Sequence, residues 1–402
     1  MTAIAIEAIG HDAVYARTHQ LLKTWQARAA TAELTRCIPV ETLEELHDAG
    51  LMQIVMPNCY GGLGLDWPAL AECSRIAARA CASTAWMIGL VGGHAMLATR
   101  LPQAGQEMLF AKGARQVFST ASVPHDGTIE KEPGGFRLNG AWRFSSGIDH
   151  ATWIMIHGPC TNPHGTNPAE RVLLAAPIND TRIEDTWHVS GMSGTGSKDV
   201  RFDHLFIPDC LAVSFSTLFA ARPSAAQAPS GPYISDVPLR PYLGSGVIGP
   251  ILGCAEGAFD EAVSMLRIRL NNSGTTSSAS STACLFERVA QSAAELSCAQ
   301  KLFDSIVTTL HTAGLARQEL DVGTFNVLRR DRAYLVRLCV NAIERLVRQL
   351  ATAAIFDANP IQRHWRDLQV MATHMDVNWD TAMTEYGAYV LDYELSTPAV
   401  SR

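Results

Sequence analysis

Hydrophobic positions over the first part of the chain, residues 1–115, recur with the spacing of amphipathic helices. We predict helices over residues 12–35 and from Pro39 to Gly50, where a proline and acidic residues suit a helix N-terminus. Two further helices are predicted from Trp67 to Cys81 and from Ser83 to Arg100. Both carry almost no charge on one side, which indicates that this side is buried in an N-terminal helical domain.

The pattern changes near Gln116 to short alternating or apolar runs, and it keeps this character to about Phe215. Gly, Pro, Asn and Asp separate the runs, as they separate the strands of an antiparallel sheet or barrel. Residues 116–215 are therefore predicted to form a small antiparallel β domain. Its expected strands cover residues 117–120, 135–139, 142–144, 153–156, 171–175 and 200–206.

The remainder of the chain is predicted to be a surface loop followed by a helical bundle. The loop, residues 216–241, contains many Ala, Ser and Pro residues. A helix that begins after Gly244 and three long amphipathic segments make a four-helix bundle the expected architecture of residues 242–402. The three segments cover residues 287–313, 323–356 and 360–391, and the Ser- and Thr-rich run 273–282 is expected to be a flexible connection.

A row of glycines marks the first helix of this bundle. Gly249, Gly253 and Gly257 recur every four residues, so they lie on one face and allow another helix to approach closely. Close packing is favoured over a phosphate-binding role. The expected fold class is α+β, mainly α, with N-terminal helices, a middle antiparallel β domain and a C-terminal four-helix bundle.

Composition narrows the possible functions. Hydrophobic residues make up 47% of the 402 residues and charged residues only 18%, which excludes disorder of the whole chain. The formal charge of −7 disfavours nucleic acids and anionic membrane surfaces as partners. No apolar run is long enough for a membrane span, and no secretory signal is recognisable. The ten cysteines are scattered without a zinc-site spacing, so we expect a cytoplasmic protein with no metal.

Most catalytic signatures are absent from the sequence. There is no Gly-x-Ser-x-Gly elbow, no His-Glu-x-x-His and no Gly-x-Gly-x-x-Gly after a predicted strand. The run Gly191–Lys198 superficially resembles a phosphate-binding loop. Asp199 stands where such a loop requires Ser or Thr, and the residue before the lysine is Ser197 instead of Gly. A Walker nucleotide site is therefore rejected.

Several segments resemble the acyl-CoA dehydrogenase superfamily, in the order that the superfamily has them. Met192–Val200 with Asp203–Pro208 resembles the strand pair that closes its β domain. Gly140–Gly147, ending at Trp153, resembles the stretch that lies against the flavin ring. Arg366-Asp367 resembles the dipeptide before the active-site loop. The resemblance covers nearly the whole chain.

Within the superfamily, the chain is most similar to the oxygenase components of two-component (group D) flavin-dependent monooxygenases. Their members include hydroxyphenylacetate hydroxylase, secosteroid phenol hydroxylase and dibenzothiophene monooxygenase. Ala80–Trp86 and Phe144–Trp153 resemble the corresponding segments of these hydroxylases. Met375 stands where many acyl-CoA dehydrogenases place a catalytic glutamate, and a methionine cannot act as a base. Its neighbour His374 resembles a histidine of the hydroxylases.

The resemblance implies an enzyme that receives reduced flavin, FMNH2 or FADH2, from a separate flavin reductase. With O2 it would hydroxylate a small aromatic or heteroaromatic molecule through a flavin hydroperoxide. Two alternatives remain: an acyl-CoA dehydrogenase with tightly held FAD, and a catalytically inactive binding subunit of the same fold. A homotetramer is also implied, because relatives complete the flavin site across subunits.

The resemblance assigns flavin contacts to two neighbouring segments. Ser146 is expected to lie near flavin N5 and to stabilise the oxygenated flavin through its hydroxyl, with Ser145 as the competing candidate and a simple β-turn as the alternative. Phe144 would lie against the ring. Further expected contacts are Ser119, Thr120 and Ser122 on the first strand, and Arg267, Arg269 and Gln291 reaching the flavin phosphate from a neighbouring subunit.

Two histidines are the candidates for substrate chemistry. The imidazole of His374 has the pKa range for deprotonating a phenol or protonating a peroxide, so it is the expected acid-base group. His94 resembles a pocket histidine of the hydroxylases and is expected to act on the substrate, although a buried structural histidine is the alternative. The remaining pocket wall is expected to include Trp86, Leu90 and Met375.

Overall fold

The N-terminal stretch is helical, as predicted. The computed structural model of the protein describes residues 10–161, 170–221, 233–273 and 279–394. Its first helices are α1 (His11–Thr35), α2 (Val40–Asp48), α3 (Trp67–Ala78), α4 (Ala82–Trp86), α5 (Ala95–Ala98) and α6 (Gln103–Leu109). The α3 start has a local cause, because the Asp66 side chain accepts a hydrogen bond from the Ala69 N–H and Pro68 occupies the first turn.

The predicted helix from Ser83 to Arg100 is not a single α-helix. Helix α4 continues into a π-helical turn, Met87–Val91, and a 3₁₀ turn, Gly92–His94, before α5 begins. A π-helical turn inserts an extra residue and changes how the side chains on its two sides are related. The segment is helical as predicted, but hydrophobic periodicity does not reveal such an insertion, and the change of helix type falls where two candidate site residues lie.

The middle domain is built on one sheet. Its strands are β1 (Phe118–Ala121), β2 (Val123–Pro124), β3 (Thr128–Glu132), β4 (Gly135–Ser145), β5 (Trp153–Thr161), β6 (Glu170–Pro177), β7 (Arg182–Glu184), β8 (Lys198–Pro208) and β9 (Ala212–Ser214). The main path runs β7-β8-β4-β3-β5-β6-β9, with β1 beside β5 and β2 beside β4. Most pairs are antiparallel as predicted, but β1 and β3 each run parallel to β5, so the sheet is mixed. Alternation of side chains is the same in both directions and cannot distinguish them.

Strand β4 becomes irregular as it approaches its end. Its register with β8 shifts between Leu138 and Gly140, and again between Trp142 and Ser145. Within the second irregularity Phe144 has a φ of +70° and is 53% exposed, although it is a large aromatic residue. Bulges of this kind bend a strand and redirect its side chains. The end of β4 therefore presents Phe144 outward.

The C-terminal stretch is helical but more divided than predicted. It contains α9 (Ile248–Ser273), α10 (Ala279–Leu315), α11 (Val322–Leu350), α12 (Pro360–Met371) and α13 (Trp379–Val390). The predicted segment 360–391 is interrupted between Met371 and Trp379, because the Asn378 side chain caps a new helix by accepting from the Thr381 N–H at 2.9 Å. Within the described ranges, no helix has both the length and the apolar character that a bilayer span needs.

Two predicted connections need correction. Part of the surface loop predicted for residues 216–241 is buried: α7 (Phe215–Phe219) and α8 (Arg240–Leu243) flank it, and Tyr233 and Ile234 lie in the core. The Tyr233 hydroxyl accepts a hydrogen bond from the Trp67 N–H at 3.2 Å, which ties this segment to α3. Residues 222–232 and 274–278 lie outside the described residues. The flexible connection predicted to extend to Thr282 is helical from Ala279 onward.

The glycine row of α9 packs against α3, as predicted. A Cβ atom on Gly253 would lie 1.9 Å from the carbonyl oxygen of Arg75. Cβ atoms on Gly249 and Gly257 would likewise lie 2.6 Å from carbonyl oxygens of Ala71 and Arg79. The backbones of the two helices are therefore in direct contact. This contact joins the N-terminal domain to the bundle.

Gly253→Ala is expected to lower the free energy of unfolding by about 1–3 kcal/mol, since the added methyl group would force α9 away from α3. Gly387→Ala in α13 is the control, because a Cβ atom there meets no atom within 4 Å. Alanine favours a helix over glycine, so the control should raise the free energy of unfolding by about 0.5–1 kcal/mol. Urea denaturation measures both values, and a change of the same sign in both variants would contradict the packing argument.

Candidate active site

Ser146 lies where β4, α4 and the turn before β8 meet. Its hydroxyl oxygen accepts a hydrogen bond from the indole Nε1 of Trp86 at 3.2 Å and lies 2.8 Å from the hydroxyl of Ser197. The Ser146 carbonyl accepts from the Ser119 hydroxyl at 2.8 Å. Only 8% of Ser146 is exposed. The residue predicted to contact the flavin is therefore held by three partners from three different segments, two at its hydroxyl and one at its backbone carbonyl.

The hydrogen-bonded chain continues beyond Ser197. The Ser197 hydroxyl lies 2.7 Å from that of Thr195, which in turn donates to the carbonyl oxygen of Met192 at 2.8 Å. The N–H of Gly147 also donates to the carbonyl of Thr195 at 2.8 Å. Sequence reasoning did not identify Ser197 and Thr195 as site residues. The available signal was their place in a Gly-rich run next to a strand, within a motif that the resemblance already used.

His374 lies on the other side of Trp86. The two ring centroids are 5.5 Å apart and the planes are inclined by 71°, which is an edge-to-face contact. The N–H of Asp376 donates to Nδ1 of His374 at 3.3 Å. Burial lowers the pKa of His374, and the positive charge of Arg332 acts in the same direction, while the Asp376 carboxylate opposes them. The imidazole is therefore predominantly neutral at neutral pH.

His94 is buried behind β1. Its Nδ1 lies 2.8 Å from the carbonyl oxygen of Phe118, and its Nε2 lies 3.3 Å from the hydroxyl of Thr120. A carbonyl only accepts, so Nδ1 carries the proton of the neutral ring and Nε2 is left as an acceptor. Burial lowers the pKa of His94 to about 4, with a smaller contribution from the charge of His374. His94 is a neutral hydrogen-bonding group at the pH of the cell.

Ser146, Ser197, Trp86 and His374 form a cluster of contacts. The other predicted site residues lie either near this cluster or away from it. The side chains of Ser119 and Ser145 are fully enclosed, and Ser145 Oγ has no hydrogen-bond partner among the described residues. Ser122 and Leu90 are half-buried, whereas Met375 is exposed. The residues predicted to reach a flavin phosphate lie exposed on α9 and α10, away from the contacts of the cluster: Arg267, Arg269 and Gln291.

Asp367 holds the turn from which Ser197 and Thr195 extend. Its carboxylate accepts a hydrogen bond from the N–H of Met192 at 2.5 Å, and the neighbouring Arg366 donates to the carbonyl of Ser190 at 2.7 Å. A Cβ atom on Gly191 would lie 2.3 Å from the Arg366 carbonyl oxygen, so only glycine fits there. Burial raises the pKa of Asp367 to about 7, although the hydrogen bond from Met192 opposes this shift.

Comparison with known proteins identifies the family. The family model described as "Acyl-CoA dehydrogenase, N-terminal domain" matches residues 11–113, and "Acyl-CoA dehydrogenase, C-terminal domain" matches residues 245–379. The chain is 30% identical over 385 residues to the pigment production hydroxylase of a Rhodococcus species, and the alignment covers 95% of this chain and 97% of that protein. The chain belongs to the flavin-dependent monooxygenases of the acyl-CoA dehydrogenase superfamily.

Two further relatives support this membership. The oxygenase component of an FADH2-dependent resorcinol hydroxylase from a Rhizobium species is 26% identical over 392 residues, covering 96% of this chain and 95% of that protein. The crystal structure of 3-HSA hydroxylase from Rhodococcus sp. RHA1 matches with a TM-score of 0.87 at 26% identity, covering 96% of this chain and 98% of that one. The predicted fold and the predicted monooxygenase family are both confirmed.

In this monooxygenase, Trp86 connects the two halves of the cluster. One side of its indole donates to the Ser146 hydroxyl, and its ring contacts His374. Sequence reasoning assigned Trp86 only to the pocket wall. Its bridging contacts are between residues far apart in the sequence, so no local pattern indicated them.

Asp367→Asn is expected to flatten the pH dependence of stability. The pKa of Asp367 is about 7 in the folded protein against an ordinary value of 3.8. Its contribution to stability is therefore complete below about pH 4 and is lost as the pH rises toward 7, by at most about 1.4 kcal/mol per pH unit. Asparagine keeps the acceptor for the Met192 N–H and does not ionise. Urea denaturation at pH 5, 6 and 7 measures the difference, and parallel curves for the two proteins would refute the raised pKa.

Proposed function

We propose that this chain is the oxygenase component of a two-component monooxygenase. It uses reduced FMN or FAD from a separate reductase, together with O2, to hydroxylate a small aromatic or heteroaromatic molecule. The observation that carries the proposal is the bridge from the Ser146 hydroxyl through Trp86 to the neutral His374. It sets a candidate flavin contact beside a candidate proton-transfer group, in a chain whose relatives along nearly its full length are hydroxylases.

The residues around Ser146 fit a flavin. Phe144 offers an exposed aromatic surface in contact with Trp187, and hydroxyl groups are offered by Thr120 on β1 and by Ser146 directly after β4. These residues would hold the flavin ring, with Ser122 toward the ribityl chain. Arg267, Arg269 and Gln291 of a neighbouring subunit would hold the phosphate. When bound, the reduced flavin supplies the electrons that activate O2 for transfer to the substrate.

His94 orients an aromatic substrate that carries a hydroxyl group. Its Nε2 is an acceptor, since Nδ1–H is committed to the Phe118 carbonyl, and a substrate hydroxyl would take the place of the Thr120 hydroxyl that lies 3.3 Å from Nε2. When a phenolic hydroxyl donates a hydrogen bond to Nε2, the carbon atoms next to it in the aromatic ring become more electron-rich. With a pKa of about 4, His94 accepts this hydrogen bond without retaining the proton.

His374 supplies the mobile proton. Because the Asp376 N–H donates to Nδ1, the proton of the neutral imidazole resides on Nε2. Nε2–H would then be the atom that donates a proton toward an oxygen atom of a bound substrate or cofactor. The edge of Trp86 fixes the plane of the ring. Buried apolar residues of the π-helical turn, Met87, Ile88 and Val91, exclude water from this side of the site.

The assembly is proposed to be a homotetramer formed through the bundle. Helices α9 and α10 expose the large apolar side chains Ile268 and Phe286, and Ile355 and Phe356 are exposed after α11. Exposed apolar groups of this size support an interface with other subunits. The same two helices carry Arg267, Arg269 and Gln291, which the proposal assigns to a flavin of the neighbouring subunit. The reductase is proposed to associate only transiently.

The function is tested by supplying chemically reduced FMN or FAD, oxygen-18 gas and a panel of phenols and heteroaromatic compounds. Mass spectrometry is expected to detect one oxygen-18 atom in the product of at least one compound, without any reductase present. The dehydrogenase alternative is tested in parallel by adding acyl-CoA thioesters to protein loaded with oxidised FAD. Flavin bleaching by a thioester, with no oxygen incorporated into any aromatic compound, would overturn the proposal.

His374→Ala is expected to lower product formation by roughly 10²–10⁴-fold, because the general acid-base group is removed. Binding of reduced flavin should be retained. In the wild-type protein the activity should persist at neutral pH and fall at acidic pH, because burial lowers the pKa of His374 and a protonated ring can no longer accept a proton. His19→Ala, which changes an exposed histidine of α1, is the matched control and should leave turnover unchanged. Equal turnover in wild type and His374→Ala would exclude the proposed role.

A further inference from the structure

The hydroxyl chain that ends at Ser146 has a defined direction. Its far end is the Met192 carbonyl, which can only accept, so the Thr195 hydroxyl donates its single proton there. Thr195 must therefore accept from Ser197 across their 2.7 Å contact. The proton of Ser197 is then committed to Thr195, and Ser197 accepts from Ser146 across 2.8 Å. The proton of Ser146 therefore points toward Ser197.

The hydrogen bond from Trp86, at the Ser146 end of the hydroxyl chain, supports the same direction of the protons. The indole N–H of Trp86 is a donor only, and it occupies one lone pair of the Ser146 hydroxyl oxygen. With its proton directed to Ser197, Ser146 keeps one lone pair and no proton for a ligand. The Met192 carbonyl also accepts from the Trp187 indole and from the Thr195 N–H, but reversing the hydroxyl chain would place the Thr195 hydroxyl oxygen 2.8 Å from this carbonyl oxygen with no proton between them. Thr195 and Ser197 are themselves almost fully buried, so water does not readily replace a lost partner.

We propose that Ser197 and Thr195 are positioning residues that make Ser146 a hydrogen-bond acceptor and so select reduced over oxidised flavin. The inference rests on the proposed function, in which Ser146 lies at flavin N5. Reduced flavin carries a proton on N5 and donates a hydrogen bond there. Oxidised flavin has only a lone pair on N5, which would face the lone pair of Ser146. An oxygenase that releases spent flavin and takes up reduced flavin gains from this difference.

Two further hydrogen bonds hold the turn in position beside Ser146. The Gly147 N–H donates to the Thr195 carbonyl, and the Ser119 hydroxyl donates to the Ser146 carbonyl. Both bonds are independent of the hydroxyl chain. Removing a hydroxyl from Ser197 or Thr195 is therefore expected to change the direction of the Ser146 proton while the backbone at Ser146 stays in position.

The test is binding affinity, measured by anaerobic titration of the apoprotein with FMN and FAD, each oxidised or reduced with dithionite. The wild type should bind the reduced form more tightly. Ser197→Ala frees the Ser146 proton to turn toward N5, so the preference for reduced flavin should narrow by about 10-fold, mainly through tighter binding of the oxidised form. Thr195→Val should act in the same direction, whereas Thr195→Ser, which keeps the hydroxyl, should retain the wild-type preference.

Ser193→Ala is the matched control. Ser193 is a buried serine of the same turn, and its hydroxyl donates to the Val189 carbonyl, which is not part of the hydroxyl chain. This variant should therefore keep the wild-type preference for reduced flavin. An unchanged preference in Ser197→Ala and Thr195→Val, with wild-type melting temperatures, would overturn the inference and leave the proposed function intact. A wild type that does not bind reduced flavin would instead overturn the proposed function. Should Ser197→Ala fail to fold, the comparison of Thr195→Val with Thr195→Ser decides the question.

Discussion

The hydrogen bond between the buried carboxyl of Asp367 and the N–H of Met192 is the contact on which the candidate site depends. It joins helix α12 of the bundle to the turn that leads into β8. Arg366, the preceding residue, binds the Ser190 carbonyl and also pairs with Glu33 of α1 at 2.5 Å. One dipeptide thus connects all three parts of the chain. The turn it holds presents Thr195 and Ser197, and through them the hydroxyl of Ser146.

The groups that contact Ser146 and Trp86 are uncharged, and this follows from their burial. The pKa of His94 and that of His374 are both lowered, so both rings are neutral, and the pKa of Asp367 is raised toward neutrality. Hydroxyl groups and an indole N–H provide the remaining polar atoms. Polar contacts of this kind are stronger where water is excluded, and each depends on the direction of a single proton. Proton direction is therefore a property that the fold can control here.

Some of this structure could be predicted because its causes are local in the sequence. The spacing of Gly249, Gly253 and Gly257 predicted a close helix contact, and the motif around Ser146 indicated the candidate flavin site. The π-helical turn after Trp86 and the break before α13 are shifts of one or a few residues that periodicity does not resolve. The links from Ser146 to Ser197 and from Trp86 to His374 join residues far apart in the chain, so only the folded structure reveals them.

The residues around His374 favour oxygen transfer over the dehydrogenation that other proteins of this fold catalyse. A dehydrogenase base must be an ionised carboxylate facing the substrate. At the corresponding position this chain has the exposed Met375, and the adjacent Asp376 lies with its carboxylate 3.6 Å from Nδ1 of His374. That carboxylate opposes the lowering of the His374 pKa by burial. A neutral imidazole, unlike an ionised carboxylate, both donates and accepts protons, which suits the hydroxylation of an aromatic compound.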